Sequence, residues 1–406
     1  MVMSGQSDHL DSGPYFDCDS HIVESLENLT RHQPKAFKEK YHLERRETAE
    51  GKYPWFLNGR QLEILEDATR PGNLIPKPGA LKEFLRALKQ GQTDHVFVPA
   101  GPDVLTREGR LRHMDATGVE ASILYPGEVI SIWPYFSVPA DRLTLLHAFN
   151  EYLFEDWGFN HHDRLYGASV LCLDDVDAAQ REAVWLVERG ARVVLIPAQP
   201  AAGRSLADPY FDPVWAVLNE GRAVVAFHIG ESEGTHGLLR AWNEKVTPAR
   251  HSASAWFWMN AYGEAPLVQT ISSMIYYNLF ARFPNLKVLS VENGAEWVPH
   301  FLQKLDKSRG MAKNGEWPCG HLTDRPSNIF RRHVGVVPYP EDDLVEIIAT
   351  CGPDILCLGT DFPHPEGVAR ARDFVDVSMK DLYDESARRK LLYQNGRRFV
   401  PATGTP

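Results

Sequence analysis

Short apolar runs alternate along the chain with longer stretches in which apolar residues recur at helical spacing. The runs predict eight strands, which cover residues 15–19, 121–125, 166–173, 192–196, 223–229, 287–291, 334–337 and 355–359. The stretches between them predict helices over residues 107–117, 176–189, 214–219, 266–282, 342–349 and 384–395. Because apolar strands alternate with helices, the pattern indicates a parallel sheet that is buried on both faces.

Eight strand–helix units predict an α/β fold closed into a (β/α)8 TIM barrel, and an open doubly wound sheet is the alternative architecture. The first predicted strand is not followed by a GxGxxG sequence, which disfavours a dinucleotide-binding open sheet. A barrel needs about 250 residues. A chain of 406 residues should therefore carry insertions.

Two segments have the composition of insertions. Residues 24–106 follow strand 1 and are rich in charge and proline, and residues 231–264 follow strand 5 and are rich in glycine and aromatic residues. Since both follow strands, we expect them at the carboxyl-terminal mouth of the barrel. We predict one barrel domain over residues 14–400, between flexible tails at 1–13 and 401–406.

Composition and charge narrow the class of protein. With 43% hydrophobic and 24% charged residues, the chain can bury a large core and does not resemble a disordered sequence. Its net charge of −11 argues against partners with phosphate backbones or anionic lipid surfaces. No apolar run approaches a membrane span of about 20 residues, and the start lacks the pattern of a signal peptide. Five cysteines without a CxxC pair are typical of a reducing compartment, so we expect a cytoplasmic protein. Because nucleic acids and membranes are disfavoured as partners, we expect a small-molecule substrate.

Residues with chemical potential stand at the ends of three predicted strands. Asp19 and His21 share one face of the first strand, because side chains alternate along a strand. His228 ends the apolar run of the fifth strand, and Asp361 follows the eighth with the same parity as Cys357, so it should face the lumen if Cys357 does. Carboxylates and imidazoles together suit a divalent metal. Structural alternatives exist: Asp19 could be a capping aspartate, His21 a solvated histidine and His228 a histidine of the core.

The spacing allows these residues to converge. The separation between His21 and His228 accommodates four strand–helix units of about 30 residues plus the first insertion. The separation between His228 and Asp361 accommodates three units plus the second insertion. Side chains from strands 1, 5 and 8 can therefore meet at the barrel mouth.

Four segments together resemble the amidohydrolase superfamily: Asp-Ser-His at 19–21, the histidine of strand 5, VENGAEWVP at 291–299 and GTDFPHPEG at 359–367. The chain is most similar to the amidohydrolase-related branch, which includes aminocarboxymuconate-semialdehyde decarboxylase and γ-resorcylate decarboxylase. The branch usually has His-x-His on strand 1, where this chain has Asp19. The resemblance implies a homodimeric enzyme with one divalent metal, Zn or Mn, whose ligands would be Asp19, His21, His228 and Asp361.

The resemblance also implies a reaction. Asp361 would be the catalytic acid or base in the decarboxylation of a small aromatic or enol-type carboxylic acid. Metal-dependent hydrolysis of an amide, ester or C–C carbonyl bond is the alternative. Residues 192–197 lack the strand-4 lysine of binuclear relatives, which favours a single metal. Glu292 stands where the decarboxylases often have a strand-6 histidine, so it is either a second catalytic group or a buried carboxylate that caps a loop.

Five further residues are candidates for substrate binding: Glu24, His251, Trp256, Trp258 and His364. Glu24 completes the sequence Asp-Ser-His-Ile-Val-Glu, and a surface position is its alternative. Trp256 and Trp258 would form an aromatic wall for a flat substrate, or pack within the second insertion.

Ser232 raises a competing hypothesis, because residues 230–234 match the GxSxG nucleophile elbow of serine hydrolases. Two glutamates flank the serine, however, and would oppose the negative charge of an oxyanion. A non-catalytic binding protein is the remaining alternative, and an intact set of four candidate ligands argues against it.

Overall fold

The structure is a computed structural model that describes residues 13–49, 52–62, 73–92, 94–230, 233–246, 248 and 253–404. The strands are β1 (Tyr15–His21), β2 (Leu43–Arg45), β3 (Trp55–Leu57), β4 (Arg60–Gln61), β5 (Leu74–Pro76), β6 (Phe97–Pro99), β7 (Val119–Tyr125), β8 (Leu165–Gly167), β9 (Ser169–Val170), β10 (Val193–Leu195), β11 (Val224–His228), β12 (Lys287–Val291) and β13 (Val334–Val336).

The α-helices surround the barrel or lie in its insertions. They are α1 (Leu26–Thr30), α2 (Lys35–Lys40), α3 (Leu81–Gln90), α4 (Pro102–Leu105), α5 (Arg107–Thr117), α6 (Val129–Ile132), α7 (Pro139–Asp156), α8 (Val176–Glu188), α9 (Asp212–Glu220), α10 (His236–Ala241), α11 (Ala255–Asn260), α12 (Glu264–Tyr276), α13 (Leu279–Arg282), α14 (Trp297–Met311), α15 (Pro326–His333), α16 (Leu344–Cys351), α17 (Ala371–Ser378), α18 (Glu385–Arg389) and α19 (Asn395–Phe399). No helix in the described part of the chain is long and apolar enough to cross a bilayer.

The barrel consists of two parallel sheets that join into a ring. One has the order β1-β7-β8, and the other has the order β13-β12-β11-β10-β9. Only Ala168 separates β8 from β9, and its N–H donates to Leu124 O, so the third barrel position is one kinked segment. The predicted parallel (β/α)8 architecture is confirmed.

The eighth position closes the ring without a regular strand, which differs from the strand predicted over 355–359. Cys357 N–H donates to Val336 O on one side, and Cys18 N–H donates to Leu358 O on the other. The ladder is interrupted at Gly359, where β1 approaches so closely that an added Cβ would lie 2.7 Å from Asp19 Cβ. At Asp361 the backbone turns left-handed, with φ at 53°. The alternation used to predict where Asp361 faces therefore does not hold there.

Local signals account for the helices that match the prediction. Helix α5 spans the predicted residues because the Thr106 side chain accepts from Gly109 N–H at its start and Gly118, at φ 75°, ends it. The single helix predicted over 266–282 is instead α12 and α13, because Asn278 adopts a left-handed conformation, with φ at 56°, between them. Helix α7 was not predicted, since it is buried on several sides and lacks a clear apolar stripe.

Extra elements follow β1 and β11, the first and fifth barrel strands, as predicted. Between β1 and β7 lie two small antiparallel sheets, of order β2-β3-β4 and β5-β6, and helices α1 to α5. Between β11 and β12 lie α10 to α13, and α10 and α11 pack around their own apolar cluster, which contains Leu239, Phe257 and Tyr262. The single domain over 14–400 and the flexible tails remain predictions, and most of the tail residues lie outside the described ranges.

His333, the last residue of α15, should make the fold sensitive to acid. Its ring stacks on Phe280, its Nδ1 lies 2.8 Å from Leu286 O, and burial lowers its pKa to about 4. An unfolded chain binds this proton near pH 6.5. The stability contributed by neutral His333 is therefore complete above about pH 6.5 and is lost as the pH falls towards 4.

Between pH 7 and pH 4.5, the unfolding free energy of the wild type should therefore fall by about 2.5 kcal/mol more than that of His333→Asn. The Asn amide can still donate to Leu286 O but does not titrate. Urea unfolding at pH 7 and pH 4.5 provides the measurement. Equal pH dependence in both proteins would contradict the assignment.

Candidate metal centre

Five acidic and imidazole side chains meet at the carboxyl end of the barrel. Asp19 and His21 belong to β1, and His228 is the last residue of β11. Glu292 directly follows β12, and Asp361 lies in the segment that closes the ring. Since the strands are parallel, their ends lie at one rim, so residues far apart in sequence come together.

His21 lies at the centre of this cluster. Its Nε2 is 3.5 Å from Asp19 Oδ1 and 3.3 Å from Asp361 Oδ1. The same atom is 3.2 Å from His228 Nε2, so two ring nitrogens face each other. The structure thus brings together Asp19, His21 and His228 in one group, and His21, Glu292, Asp361 and His364 in a second that shares His21.

Glu292 and a sixth side chain, His364, complete the cluster. Glu292 Oε2 is 3.2 Å from His228 Nε2. His364 Nδ1 is 2.7 Å from Asp361 Oδ1, and its ring centroid lies 4.1 Å from that of His21. The His364 side chain is 32% exposed, whereas His21 and Asp19 are fully buried, so His364 connects the cluster with solvent.

The buried charges shift one another's pKa values. Burial raises the pKa of Glu292 well above its ordinary value, and repulsion from Asp361 and Asp19 adds to this. Burial alone would raise the pKa of Asp361, but the charge of His364 and the hydrogen bonds from His21 and His364 lower it below its ordinary value. For His21, burial opposes protonation, but Asp19 and Asp361 raise its pKa well above its ordinary value.

The donor set fits a divalent cation. Asp19 Oδ1 and His21 Nδ1 are buried and accept or donate no hydrogen bond among the described residues. Leaving buried polar atoms unpaired is costly. Without a cation, bound protons neutralise the negative charge of the carboxylates. A metal bound at the facing nitrogen and oxygen atoms would replace these protons.

Two of these residues adopt a backbone that side chains generally avoid. Glu292 has φ at 55° and Asp361 has φ at 53°. Such conformations cost about 1–3 kcal/mol each and are concentrated at functional sites. Both are held by hydrogen bonds: Tyr339 OH donates to Glu292 O at 2.8 Å, and Asp361 N–H donates to Asp19 O at 2.7 Å.

Residues behind the cluster support β1 and were not identified from the sequence. Asp17 accepts from Thr360 N–H and Oγ1–H, which ties β1 to the closing segment, and burial raises its pKa to about 7. Arg110 is buried and donates to Ser20 Oγ and His21 O. Strand alternation gave no signal for the first contact, because the register of β1 is irregular between Asp17 and Ser20. Nothing in the sequence indicated the second, because α5 reaches β1 only through the fold.

The predicted substrate-binding residues lie in different surroundings. Glu24 is buried, and both of its carboxylate oxygens accept from the N–H groups of Gly127 and Glu128 after β7. The Trp258 ring is 43% exposed and lies 4.8 Å from the Tyr262 ring, and the Trp256 ring lies 5.5 Å from that of Trp242. His251 and Ser232 lie outside the described residues. The substrate-binding roles remain predictions.

The chain belongs to the amidohydrolase family, since the profile of that family, described as Amidohydrolase, matches residues 134–402. A curated relative is the 2-amino-3-carboxymuconate-6-semialdehyde decarboxylase of Dictyostelium discoideum, which is 22% identical over 300 residues covering 74% of this chain and 76% of the relative. The resemblance stated from the sequence, and with it the expectation of an enzyme, is confirmed.

Two solved structures show how closely the fold is shared. An amidohydrolase from Mycobacterium avium subsp. paratuberculosis K-10 is 27% identical, with a TM-score of 0.78, and covers 95% of this chain and 99% of its own. A dihydroxybenzoic acid decarboxylase from Polaromonas sp. JS666, solved with bound manganese and the inhibitor 2-nitroresorcinol, is 17% identical, with a TM-score of 0.56, and covers 79% of this chain and 93% of its own. The second comparison supports the fold alone.

Proposed function

We propose that this enzyme is a metal-dependent decarboxylase of a small aromatic or enol-type carboxylic acid. The observation that carries the proposal is the convergence of Asp19, His21, His228 and Asp361 at one rim of the barrel, where Asp19 Oδ1 is buried and accepts no hydrogen bond from a described residue. The name of the Dictyostelium relative, a decarboxylase, supports the type of reaction. The proposed homodimer and cytoplasmic location follow from the family resemblance and the cysteine content.

Asp19, His21, His228 and Asp361 would hold the metal, and Glu292 lies beside them. When bound, a divalent cation would supply Lewis-acid stabilisation of negative charge on the substrate's oxygen atoms. We favour manganese over zinc, because two of the four proposed ligands are carboxylates and a third carboxylate, Glu292, lies beside them. The manganese in the Polaromonas structure is consistent with this choice.

Asp361 and His364 would handle the proton. The proton that His364 Nδ1 shares with Asp361 Oδ1 lies next to His21, so Asp361 can pass it to the substrate carbon that bears the carboxylate. The bond from that carbon to the carboxylate then breaks, CO2 leaves, and the bonding electron pair remains with the substrate. His364 is partly exposed and can take the next proton from solvent.

Metal-dependent hydrolysis is a second candidate, and Glu292 is the specific observation that favours it. Its carboxylate lies 3.2 Å from His228 Nε2, at the position where the decarboxylases often have a histidine. A second carboxylate beside Asp361 is suited to accept a proton from water.

The products distinguish the two reactions. We expect the metal-loaded enzyme to release one CO2 per turnover from a hydroxybenzoate-type acid, without oxygen from labelled water in the organic product. Mass spectrometry of the headspace and the organic product makes both measurements. A parallel panel of aromatic amides and esters tests the alternative, and a new carboxylate that contains solvent oxygen, formed from one of these, would instead establish hydrolysis.

A further inference from the structure

A cavity opens beside the candidate metal centre, at the carboxyl ends of β10 and β11. His228 belongs both to its wall and to the cluster around His21. The wall continues over Leu195 and Ile229 and over Leu267 of α12. None of the described residues that line this cavity is Asp, Glu, Lys or Arg.

Two aromatic side chains, from different parts of the chain, contribute to the wall. Trp133 comes from the turn after α6, and Tyr262 comes from the insertion between β11 and β12. Tyr262 packs against Phe257 and Trp258, with ring centroids 5.9 and 4.8 Å away. The second insertion therefore contributes an apolar surface to the cavity through Tyr262.

Arg142, a described cation behind this wall, is already paired with carboxylates. Arg142 lies 5.1 Å from the Trp133 ring, on an element that does not line the cavity. Its NH1 and NH2 groups donate to Asp174 and Glu233, both at 2.6 Å. Because two carboxylates face one guanidinium, Arg142 offers no free positive charge to a ligand.

We propose that this cavity binds the uncharged, apolar body of the substrate, whose single negative charge is the carboxylate held beside His228. A second anionic group in the cavity would lose its hydration without gaining a cation from the described wall residues, and Asp361, Asp19 and Glu292 would repel it. Dicarboxylates and phosphorylated acids are therefore poor ligands, whereas alkyl or fused-ring extensions are good ones. This inference rests on the proposed carboxylate-binding function and specifies its substrate class.

Isothermal titration of the manganese-loaded enzyme with two series of probes tests this. The first series consists of 3- and 4-alkylbenzoates from methyl to butyl, and the second pairs terephthalate with monomethyl terephthalate. We expect affinity to rise by up to about fourfold per methylene group in the better alkyl series. Terephthalate should bind at least tenfold more weakly than its monomethyl ester. Flat affinity along both alkyl series, or equal affinity for the two terephthalates, would overturn the inference.

A charge placed in the wall should reverse the preference. Ala198 lines the cavity and is partly exposed, so Ala198→Lys should raise terephthalate affinity at least tenfold and weaken 4-butylbenzoate. Ala349→Lys, on the exposed face of α16, is the matched control and should change neither. If Ala198→Lys fails to fold, the titrations of the wild type with the alkylbenzoates and the two terephthalates still test the inference.

The titrations, taken together with the CO2 assay, distinguish failure of this inference from failure of the proposed function. Alkylbenzoates that bind progressively more tightly, while no carboxylic acid releases CO2, would support the cavity assignment and reject the decarboxylase. Release of CO2 from hydroxybenzoates with no affinity gain along the alkyl series would reject the cavity assignment alone.

Discussion

Asp361→Asn should lower kcat/KM for CO2 release by about 10²–10⁴-fold, the range expected when a positioned acid–base group is removed. The amide cannot carry the proton that Asp361 shares with His364. The fold should persist, because Asn has the size of Asp and tolerates the left-handed backbone at this position. Steady-state CO2 release and the thermal unfolding midpoint check the two parts of the prediction.

Asp381→Asn is the control, since Asp381 is exposed in the turn after α17, and it should match the wild type in both measurements. An Asp361→Asn enzyme that retains more than a tenth of the wild-type kcat/KM would exclude Asp361 from proton transfer.

Asp19→Asn should separate metal binding from folding. Its Oδ1 is buried and accepts no hydrogen bond among the described residues, but it lies 3.5 Å from His21 Nε2. Because the cost of burying the carboxylate and its attraction to His21 oppose each other, the metal-free variant should keep the fold and have a stability close to that of the metal-free wild type. Its affinity for Mn²⁺ should fall at least tenfold, because an anionic ligand is lost. Wild type at 100 times Kd gains about 2.7 kcal/mol from the metal, and the variant at the same Mn²⁺ concentration should lose about half of this gain or more.

Elemental analysis of protein purified without chelator, and unfolding with and without Mn²⁺, provide the measurements. Asp381→Asn again serves as the control. The assignment of Asp19 as a ligand would be wrong if the variant kept full metal content and the full Mn²⁺-dependent stabilisation.

Strands that are buried on both faces were predictable from the sequence, because they must be continuously apolar and are bounded by polar residues. Lys287–Val291 matches its predicted bounds, and α5 does so because Thr106 and Gly118 mark its ends. The ends of such strands meet at one rim, so proximity of His21 and His228 was also accessible from topology.

Features that depend on long-range packing were not predictable. The close approach at Gly359 and the left-handed Asp361 break the strand alternation, and both lie where the closing segment packs and hydrogen-bonds against its neighbour β1. The contacts of Arg110 and the cavity wall formed by Tyr262 depend on how α5 and the second insertion fold back onto the barrel. Sequence spacing carries no information about these contacts.

Because Glu292 has a left-handed backbone, the residues that would be most stable at this position differ from the residue that supplies the carboxylate to the site. Glycine adopts this conformation without the steric penalty that Glu bears, and Asn tolerates it better. Laboratory evolution for heat resistance alone should therefore favour Gly or Asn at 292, and would remove the carboxylate that lies beside His228. Variant libraries for this enzyme need simultaneous selection for turnover and heat tolerance.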